Sequence, residues 1–247
     1  MTGFKKTAMV ALLAGMGFTG ASQASLIDRG NGLLYDNVLN VTWLQDANYA
    51  HTSGYAGADS KGKMTWASAT TWAANLVYGG YSDWRLASNS PVNGSSFNTN
   101  YSYDGTTDVG YNITSPKSEL AYMYYVNLGL KGYYSATGAH QPDSGIFGND
   151  TSNGVDRNSL GQNNVGLVKN LQSYVYWSGA EYSPRYSFTW LLFNSVGTQQ
   201  YFDKSAQFYA WAVRPGDVAA VPVPGAIWLF VSGLGLLSFT TRRKKSI

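Results

Sequence analysis

Tyr174-Val175-Tyr176-Trp177-Ser178, then Tyr186 to Asn194 (built around Phe188-Thr189-Trp190-Leu191-Leu192-Phe193), then Thr198 to Phe202, then Phe208 to Val213 follow one another with only short polar turns between them. Each run alternates or is continuously apolar, and β-branched and aromatic residues dominate all four. This is strand chemistry, and the short turns predict an antiparallel meander. Working outward towards the N-terminus, the pattern changes. From Thr65, the residues Trp66, Ala69, Trp72, Ala73 and Leu76 recur at helical spacing, and Gly79-Gly80 marks the end of that helix. Ser115-Pro116 opens a second helix, with Ser as N-cap and Pro at the first helical position. Leu120, Met123, Tyr124 and Leu128 are its buried face and Gly129 its end. Further back, Leu33-Leu34-Tyr35 and Val41-Thr42-Trp43-Leu44 read as two strands joined by the turn Asp36 to Asn40. Two helices and antiparallel strands in one chain predict an α+β domain.

Two segments carry no period. The first, Ala87 to Thr114, is rich in Asn, Ser, Thr, Tyr and Gly; the second covers about Lys131 to Asn164. Loops of that length inside a domain are functional or disordered.

The two ends have a different logic. Lys5 and Lys6 precede an apolar run to Phe18, followed by Gly20-Ala21-Ser22-Gln23-Ala24. A basic start, a short apolar stretch and small residues before the cut form a secretory signal peptide over residues 1–24, with cleavage expected after Ala24. At the other end Val221-Pro222-Val223-Pro224 breaks any preceding helix. Gly225 to Thr241 then gives 17 residues without a charge, at the lower limit for a transmembrane helix. Arg242-Arg243-Lys244-Lys245 follows and holds the end of such a span on the cytoplasmic side. The expected division is therefore 1–24 signal peptide, 25–217 mature domain with an insertion at about 87–114, and 218–247 sorting segment.

The charge balance depends on those ends. Of 17 Lys and Arg, six lie in them, leaving 11 against 14 Asp and Glu, so the formal +3 of the chain becomes about −3 for the mature domain. A mildly acidic domain is not a nucleic-acid binder working by bulk charge. The chain has no cysteine, which excludes thiol nucleophiles, zinc–thiolate sites and disulfide staples.

The proline motif, marginal span and basic cluster resemble the sorting signals of the exosortase (PEP-CTERM) system of Gram-negative bacteria, in the variant that reads Val-Pro-Leu-Pro-Ala. Val223 stands for the leucine and Gly225 for the alanine. The resemblance implies an exosortase-type protease as partner, cutting near Pro222 to Gly225. It also implies an inner-membrane-anchored precursor that becomes a cell-surface or matrix protein, and a link to extracellular polysaccharide and biofilm. A plain, uncut membrane anchor would carry the same features.

Within the domain, Gly32-Leu33-Leu34-Tyr35-Asp36, Leu39-Asn40-Val41-Thr42-Trp43, Asp83-Trp84-Arg85-Leu86, Glu119-Leu120, Tyr176-Trp177-Ser178 and Tyr209-Ala210-Trp211-Ala212-Val213-Arg214 occur in that order. The set resembles the Lcl C-terminal domain family, named for the C-terminal domain of a collagen-like adhesin. The resemblance covers most of Gly30 to Gly216 and implies a C-type-lectin-like fold and a binding role. A more distant similarity is to formylglycine-generating enzymes, whose chemistry needs cysteines this chain lacks. The family runs from Trp-Arg-Leu-Pro-Thr directly into its Glu-Leu helix. Here Ala87 and Ser88 replace Pro and Thr, and about thirty residues intervene before Glu119.

Candidate chemistry is sparse. His51 and His140 are the only histidines and sit in different loops; Glu119 and Glu181 are the only glutamates. No phosphate-binding glycine loop and no Gly-x-Ser-x-Gly elbow occurs. No catalytic residue is expected. Asp104 and Asp108 in one loop, and Asp150 and Asp156 in another, supply hard oxygens of the kind Ca²⁺ takes, about six to eight per ion. The same Asp, Asn and Gly residues are also ordinary turn chemistry. The expected cofactor is none, with Ca²⁺ the one candidate. Asp83 and Arg85 flanking Trp84 read as an arginine–carboxylate clamp beside a buried indole. The expected function is a non-catalytic glycan- or matrix-binding domain using the insertion and exposed aromatics. A structural matrix component is the alternative, and an enzyme on exopolysaccharide the weaker one.

Overall fold

The computed structural model describes residues 26–146, 162–183 and 185–218. The signal peptide to Ala24, the sorting residues Val221, Pro222, Val223, Pro224, Arg242, Arg243, Lys244 and Lys245 with the span between them, and Asp150 and Asp156 lie outside these residues. Among the described residues no helix is long and apolar enough to cross a membrane.

The fold is α+β, mostly antiparallel. β1 (Leu26–Gly30), β2 (Leu33–Asp36) and β3 (Val41–Leu44) form a meander. The β2–β3 turn forms as its sequence requires. Asp36 Oδ1 accepts from the backbone N–H groups of Val38 and Leu39 at 2.9 Å each, and Asn40 takes the left-handed conformation (φ 52°) that asparagine tolerates. A single helical turn, α1 (Tyr49–Thr52), has no counterpart in the sequence reading, because one turn is too short to show a period.

α2 (Trp66–Ala74) starts where expected, with the Thr65 hydroxyl accepting from Ser68 N–H, and buries Ala69, Trp72 and Ala73. It stops earlier than Gly79-Gly80 suggested, at Asn75. Those glycines instead make a two-residue hairpin turn, φ 62° and 85°, closed by reciprocal Tyr78–Tyr81 backbone bonds of 3.0 Å. Positive φ at both central positions is the type I′ signature.

β12 (Ala212–Pro215), the last described strand, inserts between β3 and β4 (Arg85–Leu86), so the first sheet runs β1-β2-β3-β12-β4. Trp43 on β3 and Trp211 just before β12 pack at 4.8 Å, and the Trp211 indole donates to the Leu44 carbonyl at 2.7 Å. The second sheet contains β9 (Val175–Glu181), β10 (Phe188–Phe193) and β11 (Thr198–Asp203), the expected meander over three strands. The fourth run does not continue it: Tyr209 bonds back to β9, and β12 crosses to the other sheet. A further hairpin, β7 (Gln162–Val165) with β8 (Val168–Gln172), lies partly in what reads as the second irregular segment. The two five-stranded sheets share one core that includes Trp43, Trp177, Leu191 and Trp211.

The second predicted helix begins three residues later than Ser115 suggested. Ser115 makes a turn, its carbonyl accepting from Ser118 N–H at 3.1 Å, and Ser118 is the N-cap of α3 (Glu119–Tyr122). The reason lies in a segment just after β4: Glu119 N–H is drawn to the Ser88 carbonyl at 3.1 Å, so helical bonding cannot begin before it. α3 widens into a π-helical turn over Met123–Asn127 and ends at Gly129, φ 60°.

Candidate functional site

The insertion starts and ends at one place. Ser88 to Ser90 pair with Lys117 to Glu119: Ser90 N–H donates to the Lys117 carbonyl at 2.8 Å, Glu119 N–H to that of Ser88, and Asn89 bridges Ser118 antiparallel. Arg85 and Glu119 lock this neck. The guanidinium meets both carboxylate oxygens at 2.7 and 2.8 Å, and Glu119 Oε2 also accepts from Ser88 N–H at 2.6 Å. Forked geometry of this kind makes Arg–carboxylate pairs strong and directional. The neighbouring Asp83 pairs elsewhere, with Arg214 of β12 at 2.7 and 3.0 Å. That pairing holds the Asp83 carboxyl below the ordinary carboxylate range. The expected single clamp beside buried Trp84 is thus two clamps, one on each side of it.

Beyond the neck, the insertion folds onto the second sheet. Phe97 packs on Trp190 at 4.7 Å, over a small cluster with Val109, Tyr182 and Tyr201. Asp108 is fully buried, and its two oxygens accept from Val92 N–H (2.8 Å) and Asn98 N–H (2.7 Å). Gln199 of β11 donates to the Asp108 carbonyl at 2.8 Å and accepts from the Ser118 hydroxyl.

β5 (Tyr101–Ser102) and β6 (Val109–Gly110) then pair in parallel, with only six residues between them. Parallel strands normally need a crossover of a dozen or more residues. Two glycines permit the short circuit. A Cβ on Gly110 (φ 128°) would sit 1.9 Å from the Ser102 carbonyl oxygen, and one on Gly105 (φ 75°) 2.1 Å from that of Asn112. The Asn112 amide stitches the result to the next loop, donating to the carbonyls of Tyr103 (2.6 Å) and Tyr134 (2.9 Å).

This construction displays an array of tyrosines. Tyr101 stands edge-on to Tyr103 (5.3 Å) and Tyr111 (6.2 Å). Tyr134 stands edge-on to Tyr103 (5.1 Å), Tyr111 (5.4 Å) and Tyr133 (4.7 Å), and Tyr133 packs on His140 at 4.4 Å. Tyr103 and Tyr111 are parallel within 11°. Edge-to-face pairs are the favoured aromatic geometry and fix the rings relative to one another. Tyr111 is buried, while Tyr101 and Tyr103 are 49% and 39% exposed. Burial pushes the phenols of Tyr111 and Tyr101 up from their ordinary value, so both are neutral hydrogen-bonding groups at physiological pH. The array rests on the β10–β11 turn through Tyr133 N–H, which donates to the Val196 carbonyl at 2.8 Å.

Comparison with protein-family models, curated proteins and solved structures finds no match to this chain. The site therefore stands on its own geometry.

Asp104 is exposed in the turn between β5 and β6, held low by hydrogen bonds from the Thr106 hydroxyl and N–H. Lys131 and Asp143 pair with each other. Asp104 and Asp108 serve different hydrogen-bond sets. Among the described residues, no group of three or more His, Cys, Asp or Glu side chains is placed to hold a metal ion. His51 belongs to α1 and His140 to the array, Glu119 to the clamp, and Glu181 pairs with Lys204 at 2.8 Å. Tyr133, Tyr134 and Asn112 were not singled out by sequence reasoning. The available signal was the concentration of tyrosine in the two aperiodic segments.

Proposed function

We propose that the chain is an exported, non-catalytic glycan-binding protein of the Lcl C-terminal, C-type-lectin-like kind, sorted by an exosortase-type protease to the cell surface or matrix of a Gram-negative bacterium. The observation that carries the binding role is the tyrosine array: two exposed phenols, Tyr101 and Tyr103, held in fixed orientation by four further aromatic rings on a clamped insertion. Tyrosine offers large amphipathic contact area at small entropic cost. Its ring suits the C–H face of a sugar and its hydroxyl the sugar's polar edge.

Addressing rests on the sequence of the tail and is tested separately. Mass spectrometry of the protein from its host should find a C-terminus near Pro222. An intact basic tail recovered with the membrane would reduce the tail to an anchor. Binding is tested by presenting the exported protein to a broad polysaccharide panel, with and without Ca²⁺. Silence across that panel, together with concentration-dependent self-association, would replace the binding role with a structural one.

A further inference from the structure

A concave surface that shares no lining residue with the tyrosine array lies between the first two helices. It is a cleft of about 270 Å³ whose walls include Tyr49 and Ser53 on α1, Tyr55 just after it, Thr71 and Asn75 at the end of α2, and Val77 beyond. Its volume is below the roughly 300–1,000 Å³ typical of drug-sized sites, so it admits one ring.

The walls are braced. Tyr49 stands edge-on to Tyr78 at 5.0 Å, and the Tyr78 hydroxyl is itself fixed by donating to the Asn31 carbonyl at 2.9 Å. Tyr55 is held by its N–H on the Ala50 carbonyl at 3.0 Å. A Cβ on Gly57 would lie 2.5 Å from the Tyr55 ring, so only glycine lets the ring lie where it does. Asn75 caps α2, and its side chain is exposed. The end of α2 carries a partial negative charge, and its Thr71 and Ala73 carbonyls are already taken by the Asn75 and Leu76 N–H groups at 3.1 and 3.2 Å. That charge disfavours anions beside it. Among the described residues that line the cleft there is no Lys, Arg, His, Asp or Glu. Val77, 72% exposed, offers an apolar contact on the rim.

Two tyrosine walls, an amide, two hydroxyls and a helix C-terminus form a site for a neutral polyol with an apolar face. We propose that this cleft binds a single uncharged pyranose unit, as a subsite separate from the tyrosine array. The inference takes its ligand class from the glycan-binding reading but shares no residue with the array.

The test is titration of the isotopically labelled exported protein with methyl glycosides of glucose, N-acetylglucosamine and a 6-deoxyhexose, with glucuronate as the charged control. The Asn75 side-chain amide and the Trp72 indole are the reporters. Expected is a saturable shift with at least one neutral glycoside and none with glucuronate. Affinity should weaken tenfold or more in Asn75→Ala and vanish in Thr71→Arg, which fills the cleft from an exposed position. It should be unchanged in Tyr101→Ala/Tyr103→Ala. No saturable shift with any neutral glycoside, equal binding of glucuronate, or retained affinity in both cleft variants would overturn the subsite. Polysaccharide binding that is lost in the array variant while the cleft stays silent would refute the subsite and leave the glycan-binding reading standing.

Discussion

Replacing Glu119 with alanine should open the neck of the insertion before it unfolds the domain. The carboxylate receives three hydrogen bonds, two from Arg85 and one from Ser88 N–H, and its side chain is only 8% exposed. Removing one partner of a fully buried ion pair costs about 3–5 kcal/mol. Arg85 is 38% exposed, so its freed guanidinium regains part of its hydration, and roughly 2–3 kcal/mol is the appropriate expectation. With a urea dependence of roughly 2 kcal/mol/M for a domain of this size, the midpoint should fall by about 1–1.5 M at unchanged slope. Limited proteolysis in native buffer should cut within residues 90–117 well before global unfolding, since the neck carries only a short two-strand pairing besides the clamp. A double-mutant cycle with Arg85→Ala should return a coupling of roughly 1–3 kcal/mol. A midpoint shift below about 0.25 M, or first cuts elsewhere in the chain, would refute the clamp as the closure of the insertion.

Gly110→Ala should destabilise by roughly 2 kcal/mol or more, because the new methyl meets Ser102 backbone atoms at 1.9, 2.9 and 3.0 Å. Gly94→Ala, also at positive φ but with open space around it, should cost only about 1 kcal/mol; equal melting temperatures for the two variants would contradict the close approach of β5 and β6. Alkaline titration should be cooperative. Burial raises the phenols of Tyr111, Tyr124, Tyr125, Tyr176 and Tyr209, so above the unfolded value of about 10 the folded chain binds more protons and stability falls with rising pH. The last part of the phenolate absorbance, from these buried rings, should rise together with the loss of circular dichroism; full tyrosine ionisation near pH 10 with unchanged dichroism would count against it. Trp177→Phe should cost about 1 kcal/mol more than Trp190→Phe, since the Trp177 indole donates to Met64 O at 2.8 Å while that of Trp190 finds no partner among the described residues. Urea midpoints of the two variants give the comparison, and equal losses would oppose it.

What sequence revealed and what it hid divide along a physical line. The β2–β3 hairpin, the start of α2 and the β9–β10–β11 meander depend on local patterning, and all three were readable. The crossing of β12 into the first sheet was not. It is decided by Trp43 against Trp211 and by Arg214 on Asp83, the second pair 131 positions apart and the first farther still. The late start of α3 has the same origin, because the Ser88 carbonyl, far upstream in the chain, takes its first N–H. β5 and β6 are two residues long and depend on glycines at close approach rather than on alternation, so no period could announce them. For the candidate site, the insertion was legible as an anomaly and its tyrosines as a composition. Their convergence with Tyr133 and Tyr134 was not, since Asn112 joins the two loops through backbone carbonyls whose positions only the fold defines.

The central claim is that the tyrosine array binds polysaccharide. Affinity electrophoresis of the exported protein through gels containing the host's own exopolysaccharide tests it most directly, comparing wild type with Tyr101→Ala/Tyr103→Ala. Both rings are exposed, so the fold should persist, and each contact is expected to be worth about 1 kcal/mol or more. The account predicts retardation of the wild type and a dissociation constant at least roughly tenfold weaker in the variant. Equal retardation of the two proteins, or none for either, would contradict it.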